Sequence, residues 1–366
     1  MIINKNEELI KLCKALEKEA FFTLDTEFIR ERTYYSKLCL IQVATEEIRA
    51  IIDPLADIDL TPFFELLQNP KVLKILHSSR QDIEIFYNLT GKIPTPIYDT
   101  QITAMVFGFG ESVGYGKLVQ HYFGKELDKS SRLTDWAKRP LTERQVQYAI
   151  SDVTYLVDIY HNLKKQTFEL NRQEWVAEEL KSITNPKLYK PSPDTAWQKL
   201  KEKPRDEKKL ATLKALAKWR ELKAMELDRP RRHIISDPVL VEIAKLYPEQ
   251  QNNISQIRGM KYSGEIFNVL KNLPKVKEEK SKHSENPKRN IVSMLNILLR
   301  IQCEKHNVAT KLVANKGDVA KISRGETDTH TLNGWRYDVF GKYAVQLVNG
   351  QIGFKIEDGE LVIYPL

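Results

Sequence analysis

Phe21-Phe-Thr-Leu-Asp25-Thr-Glu27-Phe28 decides how this chain is read. Phe21 to Leu24 is a short apolar run of the kind that forms a buried strand, and it ends on two carboxylates two residues apart. A period of two puts Asp25 and Glu27 on one face. Burying two like charges there is costly unless a cation sits between them. The alternative is that the strand has ended and both acids are solvated turn residues. Two more acidic stretches follow in order. His77-Ser-Ser-Arg-Gln-Asp82 places Asp82 in the first turn of a helix beginning near Ser79, where the helix dipole favours an acid even without a metal. Gln147-Tyr148-Ala-Ile-Ser-Asp152 puts Tyr148 and Asp152 four apart on one helix face. That face lies roughly a quarter turn from the stripe of Val146, Val153 and Val157, so the helix can pack its apolar side and turn the pair toward a cleft. An aromatic–acid pair on a solvated edge is the competing account. Carboxylates with no paired histidine or cysteine cluster suit hard cations such as magnesium or manganese. Two such cations about 3.5–4 Å apart cleave phosphodiesters.

Around this stretch the pattern predicts further strands at Leu38–Ala44 and Ile48–Ile52, joined by a hairpin at 45–47, and another at Val72–Leu76. Helical spacing follows in Ile83, Phe86 and Leu89. Strands first, with helices interspersed afterwards, imply a mixed α/β domain over residues 1–190. Pro186, Pro191, Pro193 and Pro204 mark a linker, placed at 191–205. Residues 208–273 read as all helical, with Asp237-Pro238 opening one helix. A lysine-rich stretch over 274–290 reads as a second linker. The expected division is therefore a helical unit at 206–286 and another at 287–366, closing on an Asp358-Gly359 hairpin.

At 366 residues the chain has room for two or three cores. Its 42% hydrophobic and 29% charged content is that of a water-soluble globular protein. The net charge of +8 is uneven: −3 over residues 1–195, +10 over 196–290 and +1 over 291–366. A basic middle segment suggests an anionic polymer as partner. Arg220, Lys223, Arg229, Arg231 and Arg232 form a basic patch beside Trp219, read as phosphate contacts in preference to a solvated helix end. Cys13, Cys39 and Cys303 are too few and scattered for a disulfide frame or zinc site, which fits a reducing, cytoplasmic setting. No run approaches the ~20 apolar residues of a membrane span, and no signal-like apolar core opens the chain. Gly108-Phe-Gly110-Glu-Ser-Val-Gly114-Tyr-Gly116 lacks the spacing of a nucleotide-cofactor loop and reads as a flexible loop at a cleft edge. His77 is expected to be buried and hydrogen-bonded, since no second histidine joins it.

Taken together, Asp25-x-Glu27, Asp82 and Tyr148-x-x-x-Asp152 resemble the DEDD exonuclease superfamily in its tyrosine-bearing branch; the histidine branch would need His where Gln147 stands. Leu38-Cys-Leu-Ile-Gln-Val-Ala44, Gly114-Tyr-Gly116, Asp135-Trp136-Ala-Lys-Arg139-Pro140-Leu141 and Tyr148-Ala-Ile-Ser-Asp152-Val-Thr-Tyr-Leu156 look like bacterial ribonuclease D. The helical middle, with Trp219-Arg220 and Arg229-Pro-Arg-Arg232, is similar to the HRDC module that follows the nuclease there. The resemblance covers roughly residues 20–160 and 205–275 and fades beyond 290.

What the resemblance implies is a ribonuclease-H-like mixed-sheet exonuclease domain followed by all-α HRDC-like modules, the last a degenerate second copy. The activity implied is 3′→5′ exoribonuclease, acting on RNA such as tRNA precursors and releasing nucleoside 5′-monophosphates, from a monomer with two divalent cations, Mg²⁺ or Mn²⁺. Asp25 would bridge both cations, Glu27 and Asp152 complete the first site, Asp82 hold the second, and Tyr148 orient the attacking water. Phe28, Tyr34 and Tyr35 can stack on terminal bases, or else fill the core. Two rival functions share these features: a DNA exonuclease of the Werner or proofreading type, separated by 2′-hydroxyl recognition, and a non-catalytic RNA-binding scaffold, against which the complete acid set argues.

Overall fold

The computed structural model describes residues 1–128, 130–132, 134–246, 257, 260–273 and 288–366. Its first part is a six-stranded sheet of β1 (Ile2–Ile3), β2 (Phe21–Ile29), β3 (Lys37–Ala44), β4 (Arg49–Ile52), β5 (Leu73–Leu76) and β6 (Ile97–Asp99), in the order β1-β4-β3-β2-β5-β6. β2 is antiparallel to β3 and β3 to β4, while β5 and β6 run parallel to β2. This is the mixed sheet the ribonuclease-H-like reading calls for. Helices α1 (Asn6–Leu16), α2 (Thr61–Leu67) and α3 (Arg80–Thr90) cover one side with a core that includes Leu24, Phe63, Ile83 and Phe86. Helices α4 (Thr100–Val106), α5 (Tyr115–Phe123), the long α6 (Glu143–Glu169) and α7 (Gln173–Ile183) build a second core around Ile75, Leu118, Leu156 and Leu163.

β2 runs on to Ile29, so Asp25 and Glu27 lie within the strand and not beyond its end. Pairing with β3 explains this: Asp25 stands opposite Gln42 and Glu27 opposite Leu40, and the ladder shifts register only after Glu27.

Residues 191–205 are not a bare tether. Pro193–Lys199 forms a 3₁₀ turn, and Ala196 and Leu200 are buried in the core of the next unit. Proline at the first position of such a turn starts it instead of breaking it. That unit holds α8 (Glu207–Glu226), α9 (Arg231–Ile234), α10 (Asp237–Leu246) and α11 (Ser263–Lys271). Of the expected second linker, residues 274–287 lie outside the described residues, and Arg289 already begins α12 (Arg289–Lys305). The last unit gathers Leu295, Leu298, Val319, Trp335 and Phe340 into its own core and ends in the expected hairpin, Ile352–Glu357 against Glu360–Pro365. No helix among the described residues is long and apolar enough to cross a membrane.

Candidate active site

Three elements deliver the acids. The period-two face of β2 carries Thr23, Asp25 and Glu27, and Thr23 Oγ1 donates to Val153 O, which seats α6 against that face. α6 opens on a capping box between Thr142 and Gln145, which sets the start of the helix bearing Tyr148 and Asp152. Carboxylate oxygens of Asp25, Glu27 and Asp152 lie within 4.8 Å of one another. Asp82 stands beside this trio without joining it: its Oδ1 accepts a very short hydrogen bond from Thr26 Oγ1. The start of α3 is fixed by Asp99, a buried cap that accepts from Ser78 N at 3.2 Å, Ser79 N at 2.7 Å and Ser79 Oγ at 2.7 Å. The same carboxylate accepts from Gln101 N and Ile102 N, so one side chain orders the first turns of both α3 and α4.

Burial pushes every acid of the group upward, and repulsion from its neighbours in the group adds to this at Asp25 and Glu27. Burial, then the charges of Asp82, Asp152 and Glu27, hold the Asp25 carboxyl well above its usual range. Burial and the neighbouring Asp152 and Asp82 raise Glu27 to about 8. Burial takes Asp82 and Asp152 each to about 7, against hydrogen bonds from Thr26 and Tyr148 that pull down. Burial and the surrounding carboxylates keep the Tyr148 phenol protonated. Arg132 lowers Glu27 and Asp152 but does not offset the burial. Gln42, fully buried opposite Asp25, has neither amide atom hydrogen-bonded among the described residues. Repelling oxygen ligands with no histidine or cysteine among them fit divalent hard cations.

The cleft over these acids has a volume of about 320 Å³ and is walled by His77, Gln101, Tyr115, Arg132 and Leu156 among others. His77 is hydrogen-bonded as expected, through Nδ1 to Thr100 Oγ1 at 3.0 Å and Nε2 to Val113 O at 3.1 Å. Gln101 Nε2 donates to the same carbonyl at 2.9 Å. The glycine-bearing stretch 108–116 therefore borders the cleft, and its inner end is tied to the nuclease. Its outer end is held by the last unit: Asn307 Nδ2 donates to Phe107 O at 3.1 Å, and any Cβ on Gly108 (φ +77°) would collide with the Asn307 side chain. Behind Tyr148, the Trp136 ring sits 6.0 Å away. Arg139 of the same stretch donates from Nε and Nη2 to the two oxygens of Asp53, at 2.6 and 2.7 Å, and from Nη2 to Cys39 O, so the Asp135–Leu141 stretch braces the tyrosine wall.

The expected nucleic-acid contacts divide. Arg229 and Arg232 are exposed. Arg220 is 4% exposed and donates from Nη1 to Ile235 O and Asp237 Oδ1. Arg231 pairs with Glu221 through both carboxylate oxygens. These two are internal ties: Arg231 matches the buried carboxylate of Glu221, and Arg220, itself buried, has its own charge matched by Asp237 and the Ile235 carbonyl. Tyr34 is not free to stack on a base: it is 5% exposed, its hydroxyl donates to Glu221 Oε1 at 2.5 Å, and Arg231 covers its ring. Tyr34 N and Tyr35 N both donate to Asp228 Oδ1, at 2.9 and 3.0 Å. Phe28 packs half-buried against the first core. Sequence reading missed Asp99, Arg132, Gln42 and His77's hold on Val113; only Gln42, inside a quoted strand, had a local signal.

The family model for 3′-5′ exonucleases matches residues 1–167, and that for the HRDC domain matches residues 209–263. The ribonuclease D of Bartonella henselae is 39% identical over 376 residues, covering 98% of this chain and 93% of the relative. That of Sphingobium indicum is also 39% identical, covering 98% and 97%. Among solved structures, Escherichia coli RNase D, described as an exoribonuclease involved in structured RNA processing, superposes with a TM-score of 0.81 at 28% identity, covering 96% of this chain and 98% of its own.

Proposed function

The chain belongs to the ribonuclease D family of 3′→5′ exoribonucleases, and from that premise we propose that it trims RNA 3′ ends, tRNA precursors in particular, by hydrolysis between two divalent cations. The products would be nucleoside 5′-monophosphates. The observation that carries the reading is the meeting of Asp25, Glu27 and Asp152 oxygens within 4.8 Å. In this account Asp25, Glu27 and Asp152 would hold the cations with their clustered oxygens, and Asp82, hydrogen-bonded to Thr26, would serve beside them. Bound there, divalent cations would supply an acidified water and counter-charge for the departing 3′ oxygen.

The chain's own groups do the positioning. Tyr148, braced by Trp136 and bonded to Asp152, keeps its proton and orients the attacking water through its free lone pairs. Arg132, on the cleft wall, offers a guanidinium to the terminal phosphate. His77 and Gln101 fix the Val113 carbonyl and with it the loop that closes the end of the cleft. The helical units supply RNA grip, with Arg229 and Arg232 as exposed candidates, and we divide the chain at 1–190, 206–286 and 287–366, the last as a degenerate second HRDC-like unit. The E. coli relative's link to structured RNA supports a tRNA-like substrate.

The test is to offer 3′-extended tRNA and a matched single-stranded DNA, in manganese and in chelator. Expected is stepwise shortening of the RNA alone, in manganese alone, with 5′-monophosphates released. Equal rates on DNA, or cleavage in chelator, would overturn the reading. Tyr148→Phe should slow single turnover by about 10²-fold or more while RNA binding in chelator is kept; a normal rate would make Tyr148 structural.

A further inference from the structure

A second cavity, of about 920 Å³, lies on the other side of α3 from the acids. Arg80, Glu84 and Asn88 line it from one stripe of that helix, since residues four apart share a face. Asp82, two residues on, is rotated by about 200° from Arg80 and so looks the opposite way. One helix thus separates an acidic centre from this chamber. The rest of its wall comes from the β2–β3 turn, from residues 187–200, and from α8 to α10.

Eight of the lining side chains are Lys or Arg and three are Asp or Glu. All three acids are already matched: Glu84 by Arg30 at 3.2 Å, Asp237 by Arg220 at 2.6 Å, and Glu221 by Arg231. That leaves Arg80, Lys187, Lys190, Lys199 and Arg232, all exposed and without an ion-pair partner among the described residues. Arg220 adds a built element at the cavity wall: it is 4% exposed, and its buried Nε has no acceptor among the described residues. A buried donor left over is uncommon in a finished interior. Unmatched cations contributed by three separate segments, around a volume near the upper end for ligand sites, are the chemistry that receives several phosphates.

We propose that this chamber binds phosphodiester groups of the RNA upstream of the end being removed. The inference rests on the exoribonuclease reading and adds to it a second, non-catalytic phosphate site shared by the nuclease, the 187–200 segment and the first helical unit. The polymer is favoured over a small phosphate because the cations lie along a wide wall and the enzyme's substrate is itself a polyanion.

The test uses the full chain carrying Lys187→Ala, Lys190→Ala and Lys199→Ala together. All three side chains are exposed and form no ion pair among the described residues, so the fold should survive, as an unchanged melting curve would verify. Binding of a long single-stranded RNA is measured in chelator across salt, and single-turnover cleavage of a trinucleotide in manganese. Expected are binding of the long RNA weakened at least ~10-fold at low salt, and a salt slope shallower by about 2, from a slope of about 0.7 per lost contact. Trinucleotide cleavage should be unchanged. An unchanged salt slope, or an equal loss on the trinucleotide, overturns the proposal. So does a melting-temperature rise with inorganic pyrophosphate that the variant loses while its RNA binding stays intact, since this assigns the chamber to a small ligand. Wild-type cleavage of the trinucleotide in manganese tests the exoribonuclease reading separately, so the two failures are distinguishable.

Discussion

In the seam between the nuclease and the first helical unit, Glu221 is 2% exposed and receives Arg231 on both oxygens and Tyr34 on one. In the cleft, Asp82 is buried and Asp25, Glu27 and Asp152 are half-buried beside it, with Arg132 bearing on Glu27 and Asp152. Burial raises Glu221, yet the bonds from Arg231 and Tyr34 outweigh it and hold the carboxyl below its usual range. In the cleft, burial wins at all four acids. The seam to the last unit is intermediate: Arg336 meets Glu178 and Glu179, yet burial still raises Glu179. A carboxylate matched by the fold belongs to the fold. A set left unmatched stores repulsion that only a ligand of positive charge relieves.

The sharpest way to break this contrast is one substitution in each region. Asp25→Asn removes a ligand oxygen set and should cost at least ~10³-fold in cleavage rate, since metal-held charge stabilisation is worth several kcal/mol. In chelator the variant should melt higher than wild type, and it should gain less from added manganese. Identical melting curves in both conditions would mean that the acids do not meet. Arg231→Ala should do the reverse. It strands buried Glu221 and should lower stability by about 3 kcal/mol, the low end for a broken buried pair because Arg231 is one-third exposed. Its trinucleotide cleavage, measured below the melting transition, should stay near wild type. A stable Arg231→Ala protein would remove the seam from the structural side of the comparison.

The two regions should also answer pH in opposite directions. Glu27, raised to about 8, and Asp82 and Asp152, raised to about 7, hold protons in the metal-free fold that the unfolded chain releases near pH 4. The folded state then binds more protons, so stability in chelator should fall as pH rises from about 4 to about 8. Glu221, lowered, contributes stability present above about pH 4.5 and lost as pH falls through its folded value. Melting temperatures in chelator from pH 4.5 to 8.5 should therefore decline, and saturating manganese should flatten the decline. A rise with pH in chelator would contradict the stored repulsion.

The acids could be read from sequence because each obeys a local rule: a period of two on β2, a helix's first turn for Asp82, a spacing of four on α6. What braces them obeys no such rule. Asp99 reaches back to Ser78 and Ser79, Arg139 crosses to Asp53, and Asn307 touches Phe107 from another unit. These partners are far apart in sequence, and a period cannot encode them. The basic segment misled for a related reason. A net charge of +10 over 196–290 counts Arg220 and Arg231 as free, and only the fold shows which acid each one meets. Pro193, read as part of a linker, likewise starts a 3₁₀ turn that buries Ala196 and leads into buried Leu200.

The smallest expected effect tests how the first helical unit is held. Glu221 and Arg231 both lie within that unit, so their ion pair alone does not join it to the nuclease. Tyr34 makes the crossing, by its hydroxyl to Glu221 and by its own N–H to Asp228. Tyr34→Phe keeps the ring under Arg231 and the backbone bond, and removes one hydroxyl. The cost should be about 1.5–2 kcal/mol, the low end for a hydrogen bond to a charged acceptor, while the ion pair stays whole. Because Glu221 keeps both bonds from Arg231, the loss should stay below that of Arg231→Ala. A double-mutant cycle of the two substitutions should show coupling of at least about 0.5 kcal/mol, since both act on one carboxylate. Strict additivity would mean that the tyrosine and the arginine hold Glu221 independently, and that the seam is a set of separate contacts.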